Sequence, residues 1–157
     1  MTAFIGANLT EVYSSLDEGK GFGLGDKYVD HSGKEWVFVL AGGAIAQYDV
    51  AVFDEVYGAL ALSTSNDARG DLVGVAPVAM ASGSYGWVQT IGPCTMNVLA
   101  SCAANVRLNT TATGGSLDDD GTTGAMAIDG VVLTTVRAAS PGSAAGILNS
   151  PQIGVTL

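Results

Sequence analysis

Two cysteines, one histidine and a run of three aspartates are the residues of this chain best equipped for chemistry. Cys94 and Cys102 form a C-x7-C pair. Zinc ribbons gather thiolates in close C-x2-C pairs, and the single His31 cannot complete a second pair of ligands. Cys94 opens the stretch CTMNVLA, whose alternation places Cys94, Met96, Val98 and Ala100 on an apolar side and Thr95 and Asn97 outside. A thiol on the inner side of a strand behaves as a small hydrophobe, so the expectation is that Cys94 packs rather than reacts. A disulfide is not expected in a chain made and kept in a cytosol.

His31 stands between Asp30 and Ser32 in HSGK, a turn sequence. A Ser-His-Asp triad needs convergence in space rather than adjacency in sequence. The stretch SGSYG lacks the spacing of a nucleophile elbow. Asp118-Asp119-Asp120-Gly121 suggests a calcium loop, but such loops alternate their ligands and close on a glutamate, and no glutamate follows Glu55. The glycine-spaced run GKGFGLGD (19–26) fits neither dinucleotide nor phosphate-loop patterns. A glycosidase-like carboxylate pair has no member that the sequence singles out. The expectation is a protein with no catalytic, cofactor-binding or metal-ligating residue, and not an enzyme.

The elements around these residues read as strands. KYVDHSGKEWVFVLAG gives strand, tight turn at 31–34, strand. In the second of these, Trp36, Phe38 and Leu40 alternate with Val37 and Val39, so both faces are covered. In AIAQYDVAVFDEVY, Tyr48, Val50 and Val52 share a face opposite Asp49 and Ala51. DLVGVAPVAMA is a strand in which Pro77 marks an edge or a bulge. In SYGWVQTIGP, Tyr85, Trp87, Gln89 and Ile91 oppose Val88 and Thr90, and Gly92-Pro93 breaks the strand. ANVRLNTT turns Val106 and Leu108 inward, TGGSLDDDGTTG is a loop, and AMAIDGVVLTTVRAAS and AGILNSPQIGV supply the last strands. No helical period is sustained. The predicted fold is all-β: a compact sandwich or barrel of short antiparallel strands, a β-tulip-like body included, spanning 27–157 as one domain. Residues 1–26 read as an extended, flexible arm, ordered only where it lies along a neighbour.

Composition supports a strand-rich body with covered surfaces. Glycine accounts for 22 of 157 residues, near twice the ordinary share, and charged residues for only 13%. So little charge suggests that partners cover part of the exterior. Fifteen acidic residues against six scattered basic ones give a net charge of −9, which opposes nucleic-acid binding and anionic membrane surfaces. Neither a signal-peptide pattern at MTAFIGANLTEVY nor an unbroken apolar membrane span is expected.

Several stretches, in order, resemble one family: IGANLTEVYSS, GKEWVFVLAGGAIAQYDVAVFDE, YGWVQTIGP, VLASCAANVRLNTTATGGSLDDD and IDGVVLTTVRAAS. They are similar to capsid decoration (cement) proteins, virion structural proteins of tailed bacteriophages. The resemblance implies a non-enzymatic β-rich protein, without cofactors, on the outer capsid surface. It would be made in the host cytoplasm, bind the major capsid protein and form a homotrimer between capsomers. The apolar residues of the arm, Phe4, Ile5, Leu9, Val12 and Tyr13, are then the expected capsid-binding anchors, since exposed apolar groups on a loose segment need a partner. A tail or fibre component that binds a host glycan through Trp87 and Tyr85 is the alternative.

Overall fold

The computed structural model describes residues 6–16, 21–121 and 123–157. Among them the chain is all-β, with ten strands in one mixed sheet and no helix. The expected turn forms between β1 (Lys27–Val29) and β2 (Glu35–Ala41). The Asp30 carboxylate fixes it by accepting bonds from Ser32 N, Ser32 Oγ and Lys34 N, the local pattern that favours Asp at turns. Then come β3 (Val50–Phe53), β4 (Gly58–Ala61) and β5 (Leu72–Val75). The longest elements are β6 (Tyr85–Val98) and β10 (Gly142–Thr156), separated by β7 (Leu108–Thr110), β8 (Leu117–Asp118) and β9 (Met126–Leu133).

The pairings close two rings that share β6. Its first half pairs with β2, and the ring returns through β4, β3 and β5 to β6 at Val75↔Gln89. Its second half pairs with β10, and that ring runs through β9, β7 and β8 back to β6 at Val98↔Leu117. Most pairings are antiparallel, but β2–β4 and β6–β8 are parallel. β5 and β10 stitch the rings together at Gln152↔Leu72.

Each ring has its own core, with a third cluster outside. Val37, Val39, Ala51, Phe53 and Val88 fill the first ring. Met96, Val98, Leu108, Leu133 and Leu148 fill the second, joined by Val50, Val52, Val73 and Val75 from β3 and β5. Strand β3 therefore buries both faces, one in each core, as its unbroken apolar run requires. Trp36, Phe38 and Trp87 point out of the first ring and form the third cluster, so β2 is covered on both faces as expected.

Three local expectations are corrected. Gly92-Pro93 does not break the strand: β6 continues through it and changes partner from β2 to β10. Gly92 takes a left-handed φ of 99° there, and the buried Gln89 amide donates to the Ile91 and Pro93 carbonyls, so both of these acceptors are satisfied at the bend. Ala100 lies past the end of β6 and is exposed. Val106 precedes β7 and is exposed too, whereas Leu108 is buried as expected.

Candidate docking surfaces

The sequence-predicted anchors fall in two places. Phe4 and Ile5 lie outside the described residues. Tyr13 is buried, exchanging backbone bonds with Tyr85 at 2.9 and 2.8 Å and packing its ring against Phe38. Leu9 joins the same cluster, together with Ala7, Phe22 and Leu24. Phe22 meets Trp87 edge-on at 5.0 Å, a favoured aromatic geometry. Ala7, Leu9, Tyr13, Phe22 and Leu24 of the expected arm thus find their apolar partners in their own chain, on the outer face of β2 and β6. Val12 and Leu16 remain exposed. Trp87 is buried beneath these residues and offers no face to a sugar, while Tyr85 is half-buried. The Trp87 Nε1 has no partner among the described residues. That of Trp36 helps to lower the Asp30 pKa without reaching hydrogen-bond geometry.

His31 is exposed on its turn. Beside it, the Ser32 hydroxyl and nearby backbone donors lower the Asp30 pKa to about 2. Cys94 is half-buried at the wall of a depression of about 310 Å³ lined also by Lys34, Tyr48 and Gln89. Burial pushes its thiol up to about 12, and the Lys34 cation offsets this only in part, so the nucleophilic thiolate is scarce at neutral pH. Both cysteines are free. Cys102 is buried, and its Sγ and the Asp118 and Asp119 carboxylate oxygens lie within 4.8 Å of one another. These three could offer a cation one sulfur and two oxygens. Burial first, then the Asp119 and Asp118 charges, hold the Cys102 thiol at about 12, so a metal would have to displace a firmly held proton. The sequence reading treated that cysteine and the aspartates separately; the parallel pairing of β8 with β6 brings them together.

Two surfaces remain that spacing in the sequence does not reveal. The first is the outer face of β6, β10 and β9. Pro93, Ile147 and Val132 form one row across the three strands, with Ile147 43% and Val132 37% exposed. Thr95, Ala145 and Thr134 form the next row. Neither row carries a charge, in a chain whose net charge is −9. Beneath them the strands approach closely: a Cβ on Gly146 would lie 2.7 Å from the Val132 carbonyl oxygen. The second surface is a trough beside the β3–β4 turn. An apolar cavity of about 200 Å³, lined by Val37, Phe53, Tyr57, Leu72, Val73 and Pro151 among others, opens into one of about 230 Å³ walled by Asp54, Glu55 and Asp71. The two share Phe53, Tyr57 and Leu72.

No known protein-family model matches this chain, and no curated protein matches it either.

Proposed function

We propose that this chain is a non-enzymatic decoration protein of a tailed-phage head, which binds the outer capsid surface as a homotrimer and ties neighbouring capsomers of the major capsid protein together. The observation that carries the reading is the pair of charge-free rows, Pro93, Ile147 and Val132 beside Thr95, Ala145 and Thr134, that cross β6, β10 and β9. Copies carrying nine net negative charges repel one another, and that repulsion is least where two uncharged apolar faces meet. The ordered resemblance of five sequence stretches to decoration proteins supports the same role. A clip that binds several joined subunits, and not the separated ones, stabilises the joined state by mass action. Three linked copies add avidity without new kinds of contact. With Leu9 and Tyr13 engaged by their own chain, this face rather than the leading segment supplies the contact between copies.

The test uses the full chain and expanded, undecorated heads of a tailed phage that encodes it. Sedimentation should show a trimer, and cosedimentation should show saturable head binding. A V132E/I147E variant should keep the wild-type melting temperature, sediment as a monomer and lose at least about tenfold in head affinity as avidity disappears. Full occupancy by the monomeric variant would overturn the role of this face. Absence of wild-type binding would overturn the proposed function.

A further inference from the structure

The trough beside the β3–β4 turn has two halves of different chemistry that share a common floor. Its deep half is apolar, and its own cation, Lys27, is already paired with Glu35 at 2.9 Å. Its shallow half holds the carboxylates of Asp54, Glu55 and Asp71, and among the described residues no cationic side chain lines it. Burial raises the Asp71 pKa, and the Asp54 and Glu55 charges raise it further, which is the mark of like charges facing one another. The Asp54 Oδ1 is committed, accepting from Val56 N and Gly58 N, so Glu55 and Asp71 are left to meet a visitor. Leu72, which both halves share, is 42% exposed, and Val56, between Glu55 and Tyr57 in the chain, is 65% exposed. Acid beside an apolar pocket complements a segment that is apolar and basic in close succession. In an extended chain, residues i and i+2 point the same way about 7 Å apart, a span that suits two adjoining cavities.

We propose that this trough docks an extended segment of a partner protein, seating an apolar side chain in the cavity between Phe53, Tyr57 and Leu72 and a lysine or arginine two residues away against Glu55 and Asp71. Charge complementarity selects the occupant. An acidic or neutral segment leaves the carboxylates facing one another, whereas a bare cation leaves the apolar half unfilled. The inference stands on the trough alone. It holds whether or not the chain decorates a phage head, and its test contains no head.

The probe is the blocked peptide acetyl-Ala-Leu-Ala-Lys-Ala-amide, titrated into the full-length protein while backbone amide shifts are followed by NMR. Saturable shifts should appear at Phe53–Gly58 and Gly70–Leu72. Replacing the peptide lysine by glutamate, or its leucine by serine, should weaken binding at least about tenfold. An E55Q/D71N variant should weaken it similarly with its melting temperature unchanged, because neither side chain supports the turn. The proposal is overturned if the peptide produces no saturable shift at millimolar concentration, or if the altered peptides bind equally well. It is also overturned if the variant binds as the wild type does, or if spermine alone shifts the same amides as strongly, since simple attraction of cations would then suffice.

Discussion

At the scale of single residues, both thiols are held in their unreactive form. Burial keeps Cys94 and Cys102 protonated, with both thiols raised to about 12 from the ordinary 9.0. A group whose pKa is raised by folding contributes stability that is whole below its unfolded value and declines as pH climbs from there to the folded value. Stability should therefore fall between about pH 9 and pH 12, and a C94A/C102A variant should flatten that decline in chemical denaturation series. An unchanged slope would contradict it. At pH 8, a maleimide should label neither thiol until the protein unfolds. The inward place of Cys94 was legible because alternation is a local property of strands. The misplacement of Ala100 and Val106 has the opposite cause: each lies just beyond a strand end, where alternation no longer governs direction. The meeting of Cys102 with Asp118 and Asp119 depends on a parallel pairing that no local pattern announces.

At the scale of elements, β2 was readable because both of its faces are buried, so each alternate residue carries its own signal. β6 was half-readable. Gly92-Pro93 has the composition of a terminator, yet the strand bends there instead of stopping, because Gln89 satisfies the displaced carbonyls and β10 takes over as partner. The leading segment escaped the reading for a different reason. Tyr13, Phe22 and Leu24 attach one at a time to an aromatic cluster, and single attachments leave no period in the sequence. Replacing Tyr13 by alanine should remove a buried ring and cost about 3 kcal/mol, lowering the melting temperature by roughly 6–12 °C. A change under ~2 °C would show that the segment is no part of the stable body. The trough was invisible to spacing, since its walls come from β1, β2, β3 and the turn after it, β5 with the two residues before it, β6 and β10.

At the scale of the whole molecule, the all-β class was legible from glycine content, short alternations and frequent turns, whereas the closure into two rings was not. Closure depends on β6 and β10 being long enough to serve two neighbourhoods each, at 14 and 15 residues, and length alone does not name partners. The two cores also share a wall, since β3 contributes Val50 and Val52 to one and Ala51 and Phe53 to the other. Neither core survives the loss of that wall. Thermal unfolding should therefore be one cooperative transition, with calorimetric and van't Hoff enthalpies in agreement. Two resolved transitions would mean that the rings are independent.

The shared strand has a mechanical consequence. Ladder hydrogen bonds lie crosswise to β6, with β2 gripping its front half and β10 its rear. A tug that draws the two rings apart runs lengthwise along this common rod, so many crosswise rungs bear it together instead of parting one after another. A molecule threaded in this way is stiff along the direction of that strand.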